Sequence, residues 1–137
     1  MDYSFVEEIR ILPNDKKTFP AEKDFKTFIS KTLIQRGGIY YFPNLMMRCK
    51  QDTLVLFQYN GMIRATGVLI ETIKTKMENE FGEKHAGCYI FDVETVKYLD
   101  NPIDAKTLQT VCPSFRGFNQ SKQKLPIECL NSIACLL

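Results

Sequence analysis

Two apolar runs on either side of an Asn-Gly pair form the clearest hydrophobic pattern in the chain. The stretch DTLVLFQYNGMIRATGVLIE (52–71) is rich in β-branched and aromatic residues around Asn60-Gly61. Such a pair between two such runs predicts a tight β-hairpin, with strands at about 53–59 and 62–73. The first strand is apolar on both pleat faces and is expected to be covered on both sides. Gly67 predicts a bulge or a close approach by another backbone.

Three other segments are predicted to be strands. YSFVEEIRIL (3–12) carries an interrupted apolar alternation that Pro13-Asn14-Asp15 is expected to end. GIYYFP (38–43) is short, and CYIFDVETVKYL (88–99) has an expected irregularity around 92–94. The charged segment 74–87 is interpreted as a long hairpin loop.

Helical spacing of apolar residues marks three regions. Over 21–36 the apolar positions recur every three or four residues, acids lie in the first turn, and Arg36-Gly37 mark the end. Asp104 can cap a short helix. Pro126 opens a last helix with an apolar stripe formed by Ile127, Leu130, Ile133, Ala134 and Leu137.

This order of elements predicts an α+β fold. Several successive strands without intervening helices argue against βαβ units. The expected architecture is a small mixed, mainly antiparallel β-barrel with an early crossover helix and C-terminal helices. The 137 residues are expected to form a single domain, 1–137.

Composition adds little about partners but favours the cytoplasm. The net charge of +2 does not indicate a polyanionic partner, so a nucleic acid would have to bind a local basic patch. The five cysteines are scattered and lack a C-x-x-C pair, which is typical of reduced thiols. Neither a signal peptide nor an apolar run long enough to span a membrane is found in the sequence, so we expect no membrane association.

Catalytic chemistry has weak support. The single histidine, His85, lies in the charged loop, which is a poor platform for a nucleophile's base or for a zinc site. Asp92 and Glu94 share one strand face and could hold magnesium in a nuclease, with Lys97 displaced unless a bulge intervenes. We keep this as a lesser alternative and expect no catalytic residue, metal or cofactor.

Basic, amide and aromatic residues recur at four places. Arg36, Tyr40 and Tyr41 surround the helix-to-strand corner, Arg48 and Lys50 precede the hairpin, and Gln58, Tyr59 and Arg64 flank its turn. The segment FRGFNQSKQK (115–124) combines two phenylalanines with amides and cations. Such a loop can stack a base, hydrogen-bond its edge and hold phosphates. Alternatively, Phe115 and Phe118 anchor the loop to the core.

The hairpin after an early helix resembles the PUA-like domains, particularly their EVE and ASCH branches. Asp52 to Tyr59 are similar to a strand of the type GDLVLFY, and Met62 to Glu71 to one of the type IVGIGEV. CYIFDVETVKYLDNPI and FRGFNQSKQKL resemble the later strand and loop. The resemblance implies a non-catalytic reader of nucleic acid, with DNA carrying a modified, flipped base favoured over RNA, as in modification-dependent restriction systems.

The predicted site follows from these residues. Stacking on the base is assigned to Tyr40, Tyr59 and Phe118, and contacts to its edge to Asn119 and Gln120. Phosphate contacts are assigned to Arg36, Arg64, Arg116 and Lys122. Any cutting activity would belong to a nuclease or ATPase domain or subunit that acts as partner. The main alternative is a protein-interaction or subunit module that docks through the apolar C-terminal helix.

Overall fold

A six-stranded, mainly antiparallel sheet organises the fold in the computed structural model, which describes residues 2–43, 47–118 and 123–137. The strand order across the sheet is β2-β7-β4-β3-β1-β8. These strands are β1 (Glu8–Asn14), β2 (Ile39–Phe42), β3 (Thr53–Tyr59), β4 (Met62–Ile73), β7 (Gly87–Asp104) and β8 (Lys124–Leu125). A small hairpin of β5 (Met77–Glu78) and β6 (Lys84–His85) projects from the loop between β4 and β7.

The predicted Asn-Gly hairpin is confirmed. Asn60 and Gly61 both have positive φ, at 49° and 77°, and Tyr59 pairs with Met62 across the turn. Side chains at alternate positions of β3 enter different apolar clusters, so that strand is covered on both faces as expected.

The irregularity expected in β7 is present where β7 faces β4. Between the pairs Thr66–Lys97 and Val68–Asp92 the register shifts, and Gly67 lies at this shift. The bulge expected at Gly67 is therefore present as a register shift, whereas the atoms closest to a Cβ built there, at 3.3 Å, belong to the side chains of Phe91 and Val96 and not to another backbone.

The first strand ends at Asn14, within the predicted Pro13-Asn14-Asp15 segment but two residues beyond the predicted bound of 12, and it begins at Glu8 and not at 3. β1 pairs in parallel with β3 through Pro13 and Asn14, whereas β8 pairs only with Ile9 and Arg10. Pro13 therefore lies beyond the end of β8, where one side of β1 is an edge and a missing N–H is tolerated.

The predicted helices are present. The first helix comprises Glu22–Thr27, a π-helical turn at Phe28–Thr32, and Leu33–Gln35. The second, Ala105–Val111, begins at Asp104, whose carboxylate accepts a hydrogen bond from the Thr107 N–H at 2.7 Å. The C-terminal helix comprises a 3₁₀ turn, Ile127–Cys129, and Leu130–Ala134.

The sheet separates two apolar layers. The first helix packs on one face and forms what we call the cleft layer, which includes Phe25, Ile29, Val55 and Phe57. The second and C-terminal helices pack on the other face and form the C-terminal layer, which includes Leu54, Leu56, Leu108 and Ile133. The result is a curled half-barrel with short helices, so the predicted α+β class is confirmed. In the described part of the chain, helices are too short or too polar to cross a membrane.

Candidate functional site

A cleft of about 630 Å³ opens in the cleft layer, where β1, β2, the first helix and the β5–β6 hairpin meet. This volume lies within the range of small-molecule and cofactor pockets. Five half-buried rings are among its described lining residues: Phe19, Phe28, Tyr40, Tyr41 and His85. A flat ligand could therefore contact several ring faces or edges at once.

Ring-to-ring contacts fix these aromatic side chains in place. The centroids of Phe19 and Phe28 are 5.0 Å apart, and Phe28 meets Tyr40 edge-on at 5.7 Å. Tyr41 stacks on His85 at 4.8 Å with an interplanar angle of 27°. Such contacts are worth about 0.5–1.5 kcal/mol each beyond burial, so the rings of the cleft are ordered before any ligand arrives.

Asn14 and Tyr40 form a hydrogen-bonded pair at the floor of the cleft. The Tyr40 hydroxyl donates to Asn14 Oδ1 at 2.6 Å, and Asn14 Nδ2 donates to the carbonyls of Leu12 and Gln58. Burial raises the pKa of Tyr40, and the nearby Tyr89 and Asp15 add to the shift. The hydroxyl therefore stays protonated at neutral pH.

Arg36 ties the β5–β6 hairpin to the body beside the cleft. Its Nε and Nη2 donate to the two carboxylate oxygens of Glu80 at 2.9 and 2.7 Å, and its guanidinium lies 5.2 Å from the centre of the Tyr41 ring. The side-chain hydrogen bond from Arg36 lowers the pKa of Glu80. The charge of Arg36 is thus already paired, which weakens its predicted role as a phosphate ligand.

The turn after β1 supplies polar groups at the rim. Asp15 Oδ1 accepts the Thr18 N–H at 2.9 Å, and this backbone hydrogen bond is the main reason that the pKa of Asp15 is lowered. Asp15 and Thr18 are both exposed and line the cleft. An ionised carboxylate and a hydroxyl are therefore available to a ligand edge.

Tyr59 and Arg64, both predicted to touch nucleic acid, have structural positions instead. Tyr59 is 1% exposed, stacks on Phe25, and donates its hydroxyl hydrogen to the Phe19 carbonyl. Arg64 is 8% exposed and donates to the Tyr59 carbonyl and to Glu22. Tyr59 lies behind the cleft and positions Phe19, and neither Tyr59 nor Arg64 is among the described lining residues of the cleft.

The predicted loop residues do not join this cleft. Phe118 is half-buried, lies 5.0 Å from Phe115 and packs against the C-terminal layer, on the opposite face of the sheet from Tyr40. Arg116 is exposed between the two phenylalanines. Asn119, Gln120 and Lys122 lie outside the described residues. The structure thus brings Tyr40 and Arg36 together and places Phe118 elsewhere.

The residues of the two alternative functions also have local roles. Asp92 Oδ1 accepts the Glu94 N–H at 3.1 Å, next to the bulge in β7. Among residues 2–43, 47–118 and 123–137, His, Cys, Asp and Glu side chains do not gather in a group of three or more that could hold a metal. On the C-terminal helix, Leu130 and Ile133 are buried in the chain's own core. The stripe predicted to dock a partner is therefore largely used internally.

A second recess, of about 660 Å³, lies between the first helix and β7. Tyr98 is the one ring among its described lining residues, and the Lys26 ammonium lies 5.6 Å from the centre of that ring. The Tyr98 hydroxyl donates to Glu22. This recess lacks the converging rings of the cleft, so we place the candidate site in the cleft.

Sequence reasoning missed four cleft residues: Asn14, Asp15, Thr18 and Phe19. Asn14 and Asp15 were assigned to a turn that ends a strand, and Thr18 and Phe19 were given no role. His85 was interpreted as a surface residue, yet its ring is half-buried against Tyr41. One available clue was the segment NDKKTF, in which polar side chains that suit hydrogen bonding directly precede an aromatic residue.

A comparison with solved structures found proteins with a similar fold. Two solved structures are similar along nearly the whole chain. One is the ASCH protein from Zymomonas mobilis, with 9% identity, a TM-score of 0.59, and coverage of 93% of this chain and 94% of that one. This chain has the ASCH-type fold.

The second is a tyrosine-to-phenylalanine variant of that Zymomonas mobilis protein. It has 10% identity, a TM-score of 0.59, and coverage of 95% of this chain and 99% of that one. These likenesses agree with the predicted α+β fold, built on a mixed, mainly antiparallel sheet, and extend no further than the fold. A scan against protein-family models found no match. A search of curated proteins also found none.

Proposed function

We propose that this chain is a non-catalytic nucleic-acid-binding module that accepts one unstacked nucleobase in the cleft. The observation that supports this most strongly is the convergence of five half-buried rings with hydrogen-bonding groups in one cleft of suitable size. Stacking of a base on an aromatic ring is worth about 1–3 kcal/mol and tolerates any base. The polar groups at the rim then supply selectivity.

The rim favours a base that carries an exocyclic amino group. Asp15 is an acceptor when ionised, and its lowered pKa keeps it ionised at neutral pH. Thr18 can donate or accept. An amino group of cytosine, adenine or guanine would donate to Asp15, whereas thymine and uracil offer only the N3–H, which two carbonyl acceptors flank on the same edge.

The base must leave its stack to enter the cleft. Extrusion of a base costs a few kcal/mol in a duplex and least where the base is mismatched or single-stranded. The ordered rings of the cleft offset this cost without reorganisation. The resemblance of the hairpin to PUA-like domains favours DNA with a modified base as the ligand, and this finer assignment is part of the proposal.

Fluorescence anisotropy with labelled oligonucleotides tests the proposal. The panel contains single- and double-stranded DNA and RNA, with and without modified cytosine or adenine. Tyr40→Leu keeps an apolar side chain but removes the ring and hydroxyl, so affinity should fall by about 10- to 100-fold. The same variant should bind less tightly to every oligonucleotide that the unaltered protein binds.

Phe118→Ala is the matched control, because it removes a half-buried ring from the opposite face of the sheet. Its affinity should equal that of the unaltered protein. Equal losses in the two variants, or lack of binding to the whole panel by the unaltered protein, would contradict the proposal. A loss confined to Phe118→Ala would move the site to the loop at 115–124.

A further inference from the structure

One face of β1 leads from the cleft to a group of basic residues. Alternate residues of a strand share a face, so Glu8, Arg10, Leu12 and Asn14 lie along the same side of β1. Leu12 and Asn14 line the cleft. At about 3.3 Å per residue, Arg10 lies roughly 13 Å from Asn14 along the strand.

At the end of this face that is remote from the cleft, Glu8 contacts three segments of the chain. Its side chain is 5% exposed. Its carboxylate accepts from Arg10 Nη1 at 3.2 Å and from the Lys50 N–H at 3.2 Å, and lies 3.9 Å from Lys124 Nζ. Arg10 Nη1 also donates to the Arg48 carbonyl at 2.8 Å. One inward carboxylate thereby holds β1, β8 and the segment 47–50 together.

The outward side of this junction is cationic. Arg48, Lys50 and Lys124 are exposed, and Arg10 keeps 15% of its side chain exposed. We call Arg10, Arg48, Lys50 and Lys124 the basic strip. The exposed Glu7 immediately precedes β1 in the sequence. The strip brings four cations together, and the buried Glu8 carboxylate lies 3.2 and 3.9 Å from two of them, Arg10 and Lys124.

We propose that the basic strip binds backbone phosphates of the nucleic-acid strand on one side of the base held in the cleft. This inference rests on the proposed function and adds the direction in which the strand runs. At about 3.4 Å of rise per nucleotide, a strand leaving the cleft reaches Arg10 within about four nucleotides. Arg48, Lys50 and Lys124 contact the phosphates, and Arg10 is a positioning residue that holds the Arg48 backbone.

The salt dependence of binding distinguishes this strip from the cleft. Each phosphate contact with a single strand contributes about 0.7 to the slope of log K against log salt. The triple variant Arg48→Gln/Lys50→Gln/Lys124→Gln should therefore have a slope shallower by about 2, measured by anisotropy between about 50 and 200 mM salt. The probe is a fluorescein-labelled single strand of about 12 nucleotides. Tyr40→Leu should lower affinity without a change of slope.

The matched control removes three exposed lysines elsewhere: Lys31→Gln/Lys97→Gln/Lys106→Gln. It changes the net charge by the same amount and should retain the slope of the unaltered protein. Equal slopes in the two triple variants, or an unchanged slope in the strip variant, would overturn the inference while leaving the cleft proposal intact. If the unaltered protein binds no oligonucleotide, the proposed function itself fails.

Discussion

The two layers of the molecule share the same strands, but only the cleft layer leaves rings and hydrogen-bonding groups accessible. On the C-terminal layer, the second and C-terminal helices close over an apolar core that includes Leu108, Phe115 and Ile133. On the cleft layer, the first helix covers Phe25 and Ile29 but leaves rings and hydrogen-bonding groups open beside β2. The difference teaches that burial of apolar residues alone does not locate a site in this fold. Half-buried rings next to paired polar groups are the reason for placing the candidate site in the cleft layer.

The polar groups of the cleft layer also hold its architecture. Tyr59, Tyr40 and Tyr89 each use a hydroxyl to fix a neighbouring segment, through the Phe19 carbonyl, the Asn14 amide oxygen and the Met47 N–H. Two of these partners are backbone groups and the third is a side chain at the floor of the cleft, so the three hydroxyls connect the sheet and its core to the turn after β1 and to the segment at 47.

The largest expected effect comes from the closed layer. Phe115 is 1% exposed, and Phe115→Ala should lower the free energy of unfolding by about 3–5 kcal/mol because it leaves a cavity. Denaturant unfolding monitored by circular dichroism measures this. Oligonucleotide affinity of the folded fraction should remain that of the unaltered protein. A changed affinity would mean that the two layers are not functionally separate.

The next prediction compares the loss of stability caused by alanine at two adjacent glycines before β2. Gly38 has φ of 90°, and a Cβ there would overlap with the Phe91 carbonyl oxygen, so Gly38→Ala should cost about 3 kcal/mol or more and displace β2. Gly37 has φ of 68° but open space around a Cβ, so Gly37→Ala should cost only about 1–2 kcal/mol. Thermal and denaturant unfolding of both variants test this. Similar costs would show that β2 is not held against Phe91 as described.

A smaller effect concerns alkaline pH. The folded-state pKa of Tyr40 is raised, so its contribution to stability is complete below the ordinary tyrosine value of 10.0 and falls as pH rises above it. Tyr40→Phe should reduce the fall in unfolding free energy above pH 10.0 by up to about 1.4 kcal/mol per pH unit. Denaturant unfolding over this pH range measures the slope.

Tyr3→Phe is the comparison from the C-terminal layer. Burial raises the pKa of Tyr3 as well, while the neighbouring Thr66 side chain opposes that shift. Its substitution should therefore change the alkaline slope less than Tyr40→Phe. Equal changes of slope in the two variants would contradict the prediction that the pKa of Tyr40 is raised more than that of Tyr3.

Much of the fold could be predicted from local chemistry. The Asn60-Gly61 turn, the Asp104 cap and the apolar spacing of the first helix depend on neighbours in sequence, so they were predicted correctly. The continuation of β1 through Pro13 could not be foreseen, because it depends on how far β8 extends along the other edge.

The site was less predictable because it depends on which face each residue occupies. In the sequence, Tyr59 and Phe118 resemble Tyr40, because each is an aromatic residue close to basic residues. The pleat of β3 turns Tyr59 into the core, and the chain carries Phe118 to the opposite layer. Asn14 and Asp15 gain their importance from β2 and the β5–β6 hairpin, which are distant in sequence. Sequence composition could not supply this proximity.

The central claim is that nucleic acid binds the cleft face and not the C-terminal face. Backbone amide chemical shifts in two-dimensional NMR, recorded during titration with the oligonucleotide bound most tightly in the panel, test it directly. Perturbations should concentrate at 12–19, 36–42 and 83–85, with further changes at 48–50 and 124 from the basic strip. Perturbations concentrated at 115–118 and along the C-terminal helix, with the cleft unchanged, would contradict the account.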